Sequence, residues 1–187
     1  MNTPQRLKIK FFYQDDVPAA EQFLPLFHRW IQEDRLAEHL LLDVADYKHV
    51  PNSLATLLVA HEADLAFDTE GDKPGFSYIR KRAWPETQTL DARLEFSLAQ
   101  ALNAVEALEL EDLPKLDLES LEIRFLDRLA IPDTQEELDT VLVATKKAVS
   151  QLYGTHDISI CQLKEDKRRA FGLSIKVKRL CEEALAA

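Results

Sequence analysis

Glycine is scarce in this chain, four residues in 187. Neither G-x-G-x-x-G nor G-x-x-x-x-G-K-S/T occurs, which excludes the two Gly-rich phosphate cradles most readily read from sequence. Cysteine is nearly absent. Cys161 and Cys181 form no C-x-x-C pair and read as free structural thiols of a reducing compartment. No apolar run approaches the ~18 residues that a membrane-spanning helix needs, and Met1 to Lys10 lacks the apolar core of a signal peptide. The expectation is a cytoplasmic protein with no membrane partner. Positive charge is also short: 23 Lys and Arg against 33 Asp and Glu give a formal charge of −10, so duplex DNA is not an expected partner. H-E-x-x-H and the G-x-S-x-G elbow are missing too, so the sequence names neither a zinc hydrolase nor an acyl-transfer site.

What the chain does have is a stretch that matches itself. Leu7-Lys8-Ile9-Lys10-Phe11 through Pro18 aligns without a gap on Leu121-Glu122-Ile123-Arg124-Phe125 through Pro132. Each copy leads into a helical stripe and then two strand-like runs. In the first, Leu7 to Tyr13 alternates as a strand. Phe23, Leu24, Phe27 and Ile31 mark a helix reaching to about Leu36, with Pro25 in its first turn and a separate short turn before it. Strands are predicted at Leu40 to Val44 and Thr56 to Ala60, and a hairpin at Ala63 to Asp68 and Phe76 to Arg82. The longest amphipathic helix begins near Thr89 and ends before Pro114, and Leu113 to Ser120 reads as a connector. In the second copy, Leu121 to Asp127 is a strand. Thr134 with Glu137 opens a helix, Gly154 closes it, and Ile158 to Leu163 and Phe171 to Val177 are strands around the charged turn Lys164 to Arg169.

Periodic helices beside short strands predict an α+β two-layer sandwich, with a mostly antiparallel sheet and helices on one face. The domain reading is one globular unit over 1–187, with halves 1–83 and 120–180 joined by a helix over 89–110. Duplicated ferredoxin-like β-α-β-β halves are the topology the self-match suggests; a chance likeness between strand residues is the alternative.

Polar, titratable residues concentrate between Asp43 and Glu70. Asp43, Asp46, His49, His61 and Glu62 are the catalytic candidates, because imidazole beside carboxylate serves as an oriented base. Of these, His49, His61 and Glu62 are the metal candidates, although their spacing fits no zinc motif. The bland reading is hydrogen-bonded turn chemistry. His28 reads as a packing residue beside Phe27. An acidic run from Glu106 to Glu122 and a basic C-terminal stretch from Lys164 to Arg179 read as solvated faces, or as docking surfaces for a protein partner or a second copy of the chain. Tyr78, Arg80, Lys81, Arg82 and Trp84 combine cations with aromatics in a manner that could stack a base.

Phe27-His28-Arg29-Trp30-Ile31-Gln32, Leu42 to Asn52, Leu58 to Glu62, Tyr78 to Arg82, Asp127 to Thr134 and Leu152-Tyr153-Gly154 resemble a family of uncharacterised bacterial proteins, cyanobacterial ones among them. The likeness covers most of the chain. Where this chain has Ser53-Leu54-Ala55, members often carry a Gly-Pro-Gly type turn. The resemblance implies a compact bacterial cytoplasmic protein and brings no catalytic residue or cofactor with it. Three functional expectations remain. The first is a non-enzymatic accessory or protein-interaction module, as a homodimer in one form. The second is a metal-binding protein or hydrolase-type enzyme built on the His/Glu/Asp cluster. The third is a small-ligand sensor with its pocket between the halves.

Overall fold

The computed structural model describes residues 4–71, 73–82, 84–85, 87–127, 132, 134–163 and 170–178. Eight strands form one sheet in which every neighbouring pair is antiparallel. In chain order the elements are β1 (Leu7–Tyr13), α1 (Phe23–Gln32), β2 (Leu41–Asp46), β3 (Leu54–Ala60), β4 (Ala63–Asp68), β5 (Gly75–Arg80), α2 (Leu90–Glu109), β6 (Leu116–Phe125), α3 (Gln135–Tyr153), β7 (Ile158–Gln162) and β8 (Phe171–Val177). Across the sheet the order is β2-β3-β4-β5-β1-β6-β8-β7. The α+β class with helices on one sheet face is as the patterns predict.

Strand alternation supplies the core. Leu7, Ile9, Phe11 and Tyr13 of β1, Leu121, Ile123 and Phe125 of β6, and Leu173 and Ile175 of β8 all turn to the helical face and are buried. Each such side chain removed from water contributes about 1.5 to 3 kcal/mol. Phe23 of α1 stacks on Phe67 of β4 with ring centroids 4.5 Å apart, and Phe27 and Trp30 continue that layer. α2 is the middle helix. It contacts β1, β5 and α3, while Glu111 just beyond its end accepts from Trp30 Nε1 of α1 at 2.9 Å. A helix hemmed in on this many sides buries more than one stripe, so Arg93, Ser97 and Gln100 are enclosed along with Leu94 and Leu98.

Local signals held well. Pro25 lies in the first turn of α1, preceded by a separate 3₁₀ turn at Ala20–Gln22. Thr134 accepts from the Glu137 amide at 3.2 Å, and Gly154 closes α3 at φ 67°. Two boundaries moved by more than two residues. α1 stops at Gln32, short of Leu36, and β6 begins at Leu116, inside the expected connector. A bulge explains the second shift: Phe11 pairs with Leu121 but Phe12 with Asp117, so three residues of β6 loop out and the period of two is lost there.

The hairpins are also placed differently from the sequence expectation. β4 and β5, read as an addition to the first copy, lie next to β1, whereas β2 and β3 extend the sheet to its edge. The arrangement matching β8 and β7 beside β6 is therefore β5 and β4 beside β1. At the centre, Leu7 faces Phe125, Ile9 faces Ile123 and Phe11 faces Leu121. A two-fold axis through the Ile9–Ile123 pair carries Leu7 onto Leu121 and Phe11 onto Phe125, the same correspondence as the self-match.

Candidate functional site

On the face away from the helices, β1 presents Lys8, Lys10 and Phe12. Among the described residues no helix covers this face, and alternation alone would leave both lysines in water. They are buried instead, at 6% and 4% exposure. Asp68, the last residue of β4, sits below them with 0% exposure. Lys8 Nζ reaches Asp68 Oδ2 at 2.7 Å, and Lys10 Nζ lies 3.3 Å from Asp68 Oδ1. Ser77 of β5 also donates to Asp68 Oδ2. Burial works to raise the Asp68 carboxyl, but Lys8 and Lys10 outweigh it and hold the group below the ordinary carboxylate range. Burial pulls the Lys10 ammonium below the ordinary lysine range, with Lys8 adding to the effect and Asp68 opposing it.

The turn between β4 and β5 closes over these groups. Glu70 gives a carboxylate oxygen to Lys8 Nζ at 2.5 Å and its backbone carbonyl to Lys10 Nζ at 2.7 Å, while its amide donates to Asp68 Oδ1 at 2.8 Å. The β2–β3 loop pins this turn from the side. The Gly71 amide donates to Asn52 Oδ1 at 2.7 Å, and Thr69 exchanges hydrogen bonds with Ser53. Asn52 (φ 56°) and Gly71 (φ 81°) both adopt left-handed backbone, which Asn tolerates and Gly favours. At Gly75 an added Cβ would come within 2.1 Å of the Phe11 carbonyl, so glycine is what lets the turn return this close to β1.

Across the seam, β6 adds Glu122 opposite Lys10 and Arg124 opposite Lys8, with Arg124 Nη2 donating to Glu122 at 3.0 Å. The seam floors a cavity of about 340 Å³ over Lys8 and Lys10, bounded by Glu70, Gly71, Glu122 and Arg124. A second recess of about 840 Å³ shares those four walls and runs on past Lys73, Asp117 and Lys176. Together they form a polar cleft across the pairing of β1 with β6.

The residues singled out in sequence lie elsewhere and are not brought together. His49 is an exposed residue of the β2–β3 loop and His61 lies in the β3–β4 turn, at opposite ends of a strand of seven residues. Such a strand spans about 20 Å. Asp43 is exposed on the edge strand β2 and caps the Val44 amide at 2.8 Å. Asp46 accepts from the Lys48 amide at 3.0 Å, which holds its carboxyl low. Only His61 and Glu62 meet, with Nδ1 and Oε1 3.0 Å apart. Glu62 Oε2 also stands 3.9 Å from Nδ1 of His39, a histidine at 5% exposure. Burial lowers the His39 pKa, with Glu62 opposing. Among the described residues, no three His, Cys, Asp or Glu side chains are grouped so as to hold a metal ion.

The proposed stacking group is engaged internally. Tyr78 is a core residue, Arg80 lies 4.4 Å over the buried Trp84 ring, Lys81 pairs with Asp64 at 2.6 Å, and Arg82 donates to the His61 carbonyl. The basic turn Lys164 to Arg169, Arg179 and Cys181 fall outside the described residues, and Cys161 is exposed. Sequence reasoning missed Lys8, Lys10 and Ser77. Their one visible signal was two lysines at alternate positions of an otherwise apolar strand. Among known proteins, no family model matches the chain and no curated protein matches it. No described helix is long and apolar enough to cross a membrane.

Proposed function

We propose that this protein is a non-enzymatic binding protein that takes a small polar ligand in the cleft across β1 and β6. The observation that carries the reading is the floor of that cleft, where Lys8, Lys10 and Arg124 meet Asp68, Glu70 and Glu122 at the junction of the two halves. Charges held as far from water as those of Lys8, Lys10 and Asp68 are costly to arrange, and a pocket with a few convergent polar groups is the usual form of a ligand site. The symmetric register around Ile9 and Ile123 supports reading the halves as copies of one unit, with the cleft as the product of their joining.

A thermal-shift panel tests this. Glutamate, succinate, inorganic phosphate and glycine betaine are each added at about 10 mM to the wild type and to an Arg124→Ala, Lys176→Ala variant. A ligand present at ten times its Kd raises Tm by about 3 °C or more in a chain of this size. The expected result is such a shift with at least one probe in the wild type and none in the variant. No shift with any probe, or equal shifts in both proteins, counts against the reading. Self-association through the edge strand β2 is a second reading, favoured by the exposed apolar side chains Leu40, Leu42, Tyr47 and Val50 around it. A monomeric sedimentation profile up to about 100 μM, some hundredfold above the ~1 μM Kd that about 8 kcal/mol would give, removes it.

A further inference from the structure

Resting on the binding reading above, we infer that the ligand carries an oxyanion, a carboxylate or a phosphate, and that it binds by displacing the Glu70 carboxylate from Lys8. The two carboxylates that neutralise the buried lysines differ in kind. Asp68 has no solvent exposure and is tied to Lys8, Lys10, Ser77 and the Glu70 amide, so it is part of the floor. Glu70 is its opposite in exposure: its side chain is 49% exposed while the Lys8 it contacts is at 7%.

The Lys8–Glu70 contact is therefore a buried cation meeting a carboxylate that reaches in from solvent. Any oxyanion arriving through the cleft can make the same contact, and Glu70 can swing back into water at little cost, since exposed carboxylates are well solvated. The backbone of the turn need not move in this exchange. Lys10 is held by the Glu70 carbonyl, and Gly71 is held by Asn52. Glu70 is thus a tethered stand-in for the ligand's own anionic group.

The surrounding charges favour the same class. Among the described residues, five cations line the cleft, Lys8, Lys10, Lys73, Arg124 and Lys176. Facing them are Glu70, Asp117 and Glu122, with Asp68 beneath. With Glu70 turned out to solvent, the described groups at the cleft number five cations against three carboxylates, in a chain whose formal charge is −10. A recess of this sign focuses the field on an incoming anion.

The test is the affinity of the wild type, Glu70→Gln and Glu109→Gln for succinate and for inorganic phosphate, measured by calorimetry at low ionic strength. Glu70→Gln removes the competing charge and leaves the backbone contacts in place. Glu109→Gln makes the same change of net charge at an exposed position on α2. Glu70→Gln is expected to bind the preferred anion about five-fold more tightly than the wild type, the gain from removing a half-exposed ion pair, with Glu109→Gln unchanged. The anion that gains more identifies carboxylate or phosphate as the ligand's group. A Lys8→Met change added to Glu70→Gln should abolish the gain, with circular dichroism checking that the double variant is folded. Equal binding by wild type and Glu70→Gln overturns the displacement and leaves the binding reading standing. Absence of binding by either anion to any variant overturns the inference, and a neutral polyol that shifts the wild type but not the Arg124→Ala, Lys176→Ala variant then shows that the cleft binds something else. A gain that survives Lys8→Met also overturns it.

Discussion

An Asp68→Asn substitution removes the negative charge from a position with no solvent exposure where two buried lysines are held. Lys8 keeps the Glu70 carboxylate at 2.5 Å, but Lys10 is left with neutral oxygens among these groups, the Glu70 backbone carbonyl and the amide oxygen of the new Asn. Breaking a buried ion pair by removing one partner costs about 3 to 5 kcal/mol, and because Glu70 still serves Lys8 the lower end applies, about 3 kcal/mol. In a chain of this length each kcal/mol moves Tm by about 2 to 4 °C, so the variant should melt about 6 to 12 °C below the wild type.

The pH dependence gives the reasoning a second edge. Because the folded Asp68 carboxyl lies below its ordinary value of 3.8, its contribution is fully present above that value and is lost as pH falls through the depressed one. The wild type should therefore approach the variant below pH ~4. Burial already lowers the Lys10 pKa, so the variant can shed that proton at alkaline pH, and its deficit should shrink toward pH ~10. Scanning fluorimetry across pH measures both limbs. A Tm loss under about 2 °C at pH 7, or a deficit that does not change with pH, would refute the account. So would an equal loss when Asp68→Asn is made in a Lys10→Met background, where the stranded charge is gone and the penalty should fall by about half.

Two further outcomes follow from groups outside the cleft. His39 is lowered by burial, so the folded state disfavours the imidazolium; its contribution is intact above pH 6.5 and is lost as pH falls below it. The urea midpoint should fall more between pH 7.5 and 5.5 for the wild type than for His39→Leu, and equal falls would show that the imidazole is not the group responsible. At the α2–α3 contact, the Lys147 hydrogen bond, with help from Thr89, holds Asp91 down at about 2. Lys147→Ala should raise that value toward 3.8 in an NMR titration while leaving stability little changed, since the pair is largely exposed; an unmoved Asp91 would contradict the assignment.

Features set by neighbours along the chain were legible from the residues. Thr134, Gly154 and Pro25 mark helix ends through contacts within one turn, and the apolar repeats of α2 and β1 follow from the period of each element. The start of β6 was not, because a bulge in the pairing with β1 breaks the alternation that announces a strand. The cleft was not either. Period-two reasoning assigns Lys8 and Lys10 to solvent, and what buries them is a turn some sixty positions along the chain. The histidines drew attention by residue type, yet β3 holds His49 and His61 apart, and the buried imidazole proved to be His39.

The seat of β1 in the middle of the sheet has a consequence for how the chain acquires its fold. Its partners on both sides, β5 and β6, come far later in sequence, and until both exist the apolar row Leu7, Ile9, Phe11 has nothing permanent to lie against. Local units such as the β2–β3–β4–β5 meander and α2 can form early, but the sheet cannot be joined until β6 has been made. Closing loops of that length is slow. Throughout that wait, Leu7, Ile9 and Phe11 expose both an apolar face and an unpaired strand edge, so the step most prone to aggregation is the one that also completes the cleft.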